Sequence, residues 1–350
     1  MKNVAFLVDG ISSGGVARVA ISLARIFNDG NIKCTIFSIS DEATDQTVFN
    51  DVKYIDVDFN DNAKGYFFRL LDVFLKIRKK KFTHVIVLTM GRLSIFFSIF
   101  SFFLRMRIKF FVCEHIGFES YSNFIRLLKF ATYPLYHKVI VLTENDRELL
   151  LKHNVNAECV YNPSLYPVFD SAKEKNKKRY LSIGHLISRK GYFRLLDIWR
   201  KYCQLGGGGV LTIVGNGVDE YNLRKYIIDN GIRNIHINSP TKNIASFYTS
   251  HDVLLSTSFA EGLPMTFIEA HRFGLPIISY NVKTGPSEII VDGYNGFLVT
   301  DGDDVTFLER MFSIENDAIF KDFSQNSLNT SCRFSPDTIL KKWNDLIYER

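Results

Sequence analysis

The stretch FAEGLPMTFIEAHRFGLPIIS, Phe259 to Ser279, decides how the rest of the chain is read. It follows the strand-like run DVLLSTS (Asp252 to Ser258) and ends in PIISY (Pro276 to Tyr280), with a helix-length segment between. Strand, turn, helix and strand in that order make a βαβ unit, which predicts parallel pairing through a right-handed crossover. In the turn, Gly262 permits close backbone approach and Pro264 suits the first position of a helix. Glu261 stands before that helix and Glu269 lies within it. Their spacing covers at most about 12 Å if helical, and a helix N-terminus between two carboxylates is a ready anion site. An ordinary strand–turn–helix with two solvated glutamates carries the same signature, and two acids at this spacing alone favour that plainer reading.

The same alternation extends outward in both directions. VAFLV (Val4 to Val8), CTIFSI (Cys34 to Ile39), HVIVLT (His84 to Thr89), KFFVC (Lys109 to Cys113) and KVIVLT (Lys138 to Thr143) read as buried parallel strands. Phe67, Leu70, Leu71, Phe74 and Ile77 recur at helical spacing, as do Phe124, Leu127, Leu128 and Ala131, and both sets are expected to face the core. The second half continues with RYLSIG (Arg179 to Gly184), VLTIVG (Val210 to Gly215) and NIHI (Asn234 to Ile237). The fold class is therefore α/β, with two Rossmann-like domains whose parallel sheets face a cleft. The expected domains are 1–165 and 179–333, joined by a polar, lysine-rich linker at 166–178. A last helix at 334–350 is expected to pack back on the first domain.

Composition narrows the function classes. With 350 residues, 46% apolar and 23% charged, the chain is neither disordered nor fibrous nor broadly membrane-embedded. Five scattered cysteines without a Cys-x-x-Cys pair argue against a disulfide framework or a zinc site and for a reducing, cytoplasmic setting. The N-terminal apolar run is too short for a secretory signal, and the longest uncharged run, Leu93 to Leu104, is shorter than the ~20 residues that span a bilayer. The net charge of +6 is uneven: residues 64–138 hold 14 Lys/Arg against 3 Asp/Glu, or +11. Such a segment suits an anionic membrane surface; no recognised nucleic-acid motif accompanies it.

Further short motifs stand in order along the chain. They are Gly14, Gly15 and Arg18 after the first strand, VIVLTENDR (Val139 to Arg147), YNP (Tyr161 to Pro163), GHLISRKG (Gly184 to Gly191) and IVGNGVDEYNL (Ile213 to Leu223). KTGPSEII (Lys283 to Ile290) and DGYNGFLV (Asp292 to Val299) follow the two glutamates. Each is weak alone. As an ordered set containing EGLP…EA, they resemble the retaining GT-B glycosyltransferases of glycosyltransferase family 4.

The resemblance implies a site. Glu261 would hold the donor sugar together with the backbone of Gly262, Leu263, Pro264, Met265 and Thr266, and Glu269 the ribose. Lys190 would stabilise the leaving diphosphate, which needs donors aimed at its developing charge. The arginine usual nearby is replaced by His185, and a neutral imidazole offers one donor where guanidinium offers five; Arg189 is the candidate substitute. Gly14 and Gly15 would offer backbone amides to the diphosphate or leave space for the acceptor, and Asn216 would lie near the donor. Thr241, Asn243 and Ile244 fall where the family holds the base, and His115 where it contacts the donor sugar from the other domain. Asp56-Val57-Asp58 is a D-x-D triplet, read as a chance match, so neither metal nor cofactor is expected.

The function so implied is retaining, metal-independent transfer of a hexose or N-acetylhexosamine from a nucleotide sugar, UDP-linked by expectation. The acceptor would be a glycan, lipid-linked, at the inner face of the plasma membrane, in capsule, O-antigen or exopolysaccharide synthesis. The rival readings are a nucleotide-sugar 2-epimerase on the same fold and a non-catalytic membrane-associated scaffold with a degenerate donor site.

Overall fold

The computed structural model describes residues 2–10, 15–39, 55–59, 65–89, 91, 93–104, 108–169 and 178–349, with backbone alone for 55–59 and 99–104. The chain divides into two compact units, Met1–Leu165 with Phe334–Arg350, and Tyr166–Arg333.

The first unit holds β1 (Asn3–Val8), α1 (Gly15–Asp29), β2 (Lys33–Ser38), β3 (Ile55–Phe59), α2 (Tyr66–Lys79), β4 (His84–Thr89), α3 (Leu93–Leu104), β5 (Lys109–Glu114), α4 (Asn123–Thr132), β6 (Lys138–Val141), α5 (Glu144–Lys152) and β7 (Ala157–Cys159). Its 7-stranded sheet runs β3-β2-β1-β4-β5-β6-β7, parallel throughout. Because the order reverses at β1, right-handed crossovers send α1 to one face and α2 to α5 to the other. Every residue of β4 is buried, as expected of a strand covered on both faces.

The second unit holds β8 (Arg179–Ile183), α6 (Tyr192–Gln204), β9 (Val210–Val214), α7 (Glu220–Asp229), β10 (Ile235–Asn238), α8 (Ala245–Ser250), β11 (Val253–Ser256), α9 (Met265–Arg272), β12 (Ile277–Asn281), α10 (Pro286–Ile289), β13 (Gly296–Thr300), α11 (Asp304–Ser313) and α12 (Asp317–Thr330). The 6-stranded sheet runs β10-β9-β8-β11-β12-β13, again parallel. Its core is aromatic, with Trp199, Tyr180 and Tyr202 packed together at centroid separations of 4.9–5.7 Å. The chain then returns to the first unit as α13 (Pro336–Tyr348), whose N-cap Ser335 accepts from the Thr338 amide. Trp343 of α13 is buried against Phe27 and Phe111.

Helix α4 corrects the expectation drawn from apolar spacing. Phe124 is 67% and Leu127 66% exposed, whereas Lys129 is wholly buried. The helix is turned inside out by polar bonds beneath it. Lys129 Nζ lies 2.7 Å from Glu114 Oε1 and 3.0 Å from Ser94 Oγ, and 4.3 Å from the Tyr121 ring centroid. Tyr121 and Tyr133 also donate their hydroxyls to Glu114. Ser94 Oγ, 3.4 Å from Glu114 Oε1, is the fourth partner of that carboxylate; the buried charges are thus compensated, and removing one charge of the pair would cost about 3–5 kcal/mol. Helix α2 departs from its pattern at one end only. Leu70, Val73, Phe74 and Ile77 are buried, while Phe67 and Phe68 of its first turn are each 62% exposed.

No helix among the described residues is long and apolar enough to cross a membrane. All five cysteines are free thiols.

Candidate functional site

Two turns of the second unit, one after β8 and one after β11, are fastened to each other through their backbones. Gly191 sits at φ +67°, and a Cβ there would lie 2.0 Å from the Thr257 carbonyl oxygen. Thr257 Oγ1 donates to the Gly191 carbonyl at 2.9 Å, and the Phe259 amide donates to the Arg189 carbonyl at 2.8 Å. The Arg189 side chain completes the seam by donating to the Ala260 carbonyl at 3.0 Å. Arg194, from the first turn of α6, donates to the carbonyls of Thr257 and Ser258 and to Asp301. Its guanidinium lies between the rings of Phe259 and Tyr280, 4.0 and 4.2 Å from their centroids. Both charge-assisted hydrogen bonds and cation–π contact hold it there.

This seam brings Lys190 and Glu261 together. Lys190 Nζ stands 2.6 Å from Glu261 Oε1, and Ser258 Oγ donates to the same oxygen at 2.6 Å. Glu261 is 7% exposed, and the lysine side chain keeps 18% of its surface open. An ammonium has three protons to donate, and the Glu261 contact uses one, so an incoming anion can share it. Thr284 Oγ1 donates to the Glu261 carbonyl at 2.6 Å. Gly285, at φ +96°, lies so close that a Cβ would come within 2.0 Å of the Gly262 oxygen. A pocket beside the pair is lined by Ser182, Tyr192, Ser258 and Thr266.

Helix α9 begins at Met265; Pro264 is its cap, one residue earlier in role than the sequence predicts, with ψ at 108° and no side-chain cap bond. The first amides of a helix have no intrahelical acceptor, and those of Met265 and Thr266 open α9 directly after the turn that carries Glu261. Leu263 and Pro264 are buried, and Gly262 is partly open. Glu269, one turn on, is buried and accepts from Tyr248 Oη at 2.7 Å. Tyr248 comes from α8 and stacks on Phe273 at 5.3 Å. Through it, the loop before α8 is tied to Glu269: Thr241 and Asn243 are exposed there and Ile244 half-buried.

Two further residues expected at the site, His185 and Asn216, lie on the turns after β8 and β9. His185 and Asn216 are exposed on adjoining turns, where the Leu186 amide donates to the Asn216 carbonyl at 2.8 Å. The glycines here serve backbone packing. A Cβ on Gly215 would meet the Gly184 oxygen at 1.9 Å, and one on Gly217 the Leu186 oxygen at 2.3 Å.

In the first unit, Gly15 opens α1 with empty space where a Cβ would stand, and Gly14 lies outside the described residues. The side chains of Asp56 and Asp58 also lie outside the description. His115 follows β5, its amide donating to the Thr89 carbonyl at 3.0 Å. Burial lowers its imidazole to about 4, so the ring is neutral, and its Nε2 has no hydrogen-bond partner among the described residues. It adjoins a small cavity with Leu23, Tyr161, Asn162 and Trp343. Glu114 points the other way, into the Lys129 network.

Sequence reasoning missed Arg194, Ser258 and Tyr248. Arg194 and Tyr248 are supplied by helices that look like ordinary amphipathic stretches. Ser258 was visible as a strand residue only, and its aim at Glu261 needed the turn geometry.

Residues 168–329 match the family described as glycosyl transferases group 1. Across 99% of this chain and 100% of that protein, the sequence is 33% identical to the amylovoran biosynthesis glycosyltransferase AmsD of Erwinia amylovora. It is 31% identical to the lipopolysaccharide 1,6-galactosyltransferase of Salmonella typhimurium over 53% of this chain and 54% of that one. In fold it matches the Anabaena protein HepE, solved with UDP, at TM-score 0.84 and 18% identity over the full length of both. TarM matches at TM-score 0.84 and 14% identity, over 99% of each chain. The two Rossmann-like units are those of the GT-B architecture, and the chain belongs to the group 1 glycosyl transferases.

Proposed function

We propose that this glycosyltransferase moves a hexose or N-acetylhexosamine from UDP to a lipid-linked glycan, with retention of anomeric configuration and without a metal ion. The observation that carries the reading is the 2.6 Å pairing of Lys190 with Glu261 beside the start of α9. A shareable ammonium from the turn after β8 meets a buried carboxylate from the turn that leads into α9, the combination that a diphosphate joined to a sugar requires. Kinship supports the wider setting. Relatives are named for amylovoran and lipopolysaccharide synthesis, and a Campylobacter jejuni relative for transfer onto a diphospho-undecaprenol-linked glycan.

In this reading Lys190 and the amides of Met265 and Thr266 take the diphosphate, with Arg189 and His185 at its edge. Glu261 accepts from sugar hydroxyls, and Glu269, steadied by Tyr248, accepts from the ribose. The base rests on the Thr241 to Ile244 loop, Asn216 borders the donor, and Gly14 and Gly15 leave space near the acceptor. His115 offers a neutral imidazole to the sugar. The acceptor oxygen attacks the anomeric carbon on the face the diphosphate leaves, the carbon–oxygen bond to phosphate breaks, and the acceptor proton passes to the departing phosphate oxygen. Residues 64–138 bring the enzyme to an anionic membrane at the inner face of the plasma membrane.

The test is a panel of UDP- and GDP-sugars with a native lipid extract, read by mass. Transfer of one sugar with its anomeric configuration kept, unaffected by chelator, supports the proposal. Donor turnover without acceptor would instead make it an epimerase, and no turnover of any donor would make it a scaffold.

A further inference from the structure

Two buried nitrogens of the first unit have no hydrogen-bond partner among the described residues, and their side chains line the same cavity. They are Nε2 of His115, just after β5, and Nε1 of Trp343, in α13. Cys113, Tyr161 and Asn162 complete the polar part of the wall. Trp343 is 1% exposed, and the rings of Phe27 and Phe111 meet it edge-on at 5.5 and 6.3 Å. The other indole of the chain is satisfied in the usual way: Trp199 Nε1 donates to the Arg233 carbonyl at 3.0 Å.

The chemistry of the two nitrogens is complementary. An indole can only donate, whereas a neutral imidazole has one donor and one acceptor nitrogen. Burial keeps the His115 ring neutral. The two atoms do not bond to each other, and a polar pair held beyond direct reach is commonly bridged by water. The cavity has a volume of about 10 Å³, the room that a single water takes. With Asn162 as a third polar side chain on the wall, a water there has the number of neighbours that buried waters keep.

We propose that this cavity holds an ordered water that accepts from Trp343 Nε1 and donates to His115 Nε2, so that Trp343 is a positioning residue for the imidazole. A ring nitrogen that accepts carries no proton, which places the His115 proton on Nδ1. The inference rests on the proposed function, where His115 serves the donor sugar, and deepens it by naming Nδ1–H as the group that donates to a sugar hydroxyl. The main chain at this point is pinned separately. The His115 amide donates to the Thr89 carbonyl at 3.0 Å, and the Glu114 carboxylate is held 2.7 Å from Lys129. Those bonds set neither the tautomer nor the rotation of the imidazole; the water bond from α13 sets both.

NMR of the full chain, isotopically labelled at its tryptophan and histidine nitrogens, tests this. There are two tryptophans, so either Trp199→Phe or Trp343→Phe assigns both indoles, and His115→Gln assigns the imidazole. In the unmodified chain the Trp343 indole proton should show a cross-peak to a long-lived water, the Trp199 indole none, and His115 the Nδ1–H pattern. Trp343→Phe keeps an aromatic ring in place and removes the donor. The Nε2–H form of His115 should then rise and kcat/KM for the sugar donor fall about two- to tenfold, the worth of one hydrogen bond. Calorimetric binding of UDP, which has no sugar for His115 to meet, should stay at the wild-type level. A Trp343 indole without the water cross-peak, or the Nε2–H form of His115 in the unmodified chain, would overturn the proposal. So would a Trp343→Phe variant that loses transfer with its tautomer unchanged, or one that shifts tautomer with transfer intact. If the unmodified chain gives both signals yet moves no sugar, the water site stands and the proposed reaction falls.

Discussion

Replacing Gly191 by alanine strikes the seam on which Lys190 and Glu261 depend. The new Cβ would stand 2.0 Å from the Thr257 carbonyl oxygen, where real contacts stay beyond 3.0 Å, so the two turns must part by about 1 Å. The partner is backbone and has no rotamer to escape into. Alanine at φ +67° adds roughly 1–2 kcal/mol of left-handed strain. Gly231 separates the two effects. It has φ +58° but nothing within 4 Å of a Cβ, so Gly231→Ala carries the strain without the clash. A misplacement of about 1 Å in a site costs on the order of 100-fold in rate. Steady-state transfer and thermal melting of both variants give the comparison. Gly191→Ala should lose about 100-fold in kcat/KM and melt lower than Gly231→Ala, which should transfer like wild type. If Gly191→Ala transfers within about threefold of wild type while melting like Gly231→Ala, the reasoning that the seam sets the site is wrong.

Four further outcomes are expected. Lys190→Ala and Glu261→Gln should each reduce transfer by two or more orders of magnitude, and near-wild-type turnover in both would falsify the site. Tyr248→Phe strips the hydroxyl from buried Glu269 and should weaken UDP binding by about 1–3 kcal/mol, measured by calorimetry, with kcat less affected. Lys129→Met leaves Glu114 buried without its cation and should destabilise the chain by about 3–5 kcal/mol in urea unfolding; an unchanged midpoint would mean the tyrosines suffice. Burial lowers His84 and His115 to about 4 and His271 to about 3, from the ordinary 6.5. Between pH 6.5 and 4 the unfolded chain binds protons that the folded histidines refuse. Stability therefore falls as pH drops through that window and gains nothing from these groups above it. His271→Leu should make the fall shallower, and an identical slope would remove His271 from the account.

The alternation of strand and helix was legible because buried parallel strands are written as unbroken apolar runs. HVIVLT is β4 residue for residue, and the last helix, expected at 334–350, runs Pro336–Tyr348 behind a Ser335 cap. Strands that escape this rule were missed. β3 alternates acids with apolar residues, β7 has three residues at a sheet edge, and β13 opens with glycine inside a motif. The two glutamates and the lysine could be picked out by spacing and resemblance, but their pairing depends on hydrogen bonds between segments some 70 residues apart. Helix α4 could not be read at all by hydrophobic period. Its orientation is set by one buried ion pair whose carboxylate comes from β5, and no local pattern announces that Lys129 outbids Phe124 for the interior.

The return of α13 also orders synthesis. Unit two, Tyr166–Arg333, is translated between the two parts of unit one, and Trp343 reaches Phe27 and Phe111 only after it. At roughly 5–20 residues per second, the first sheet waits on the order of ten to thirty seconds with the groove for its last helix uncovered. The second unit can complete its core before the first unit, which precedes it in the chain. A chaperone acting during synthesis would find its substrate on α1 and β5, at the surface where Trp343 later lies.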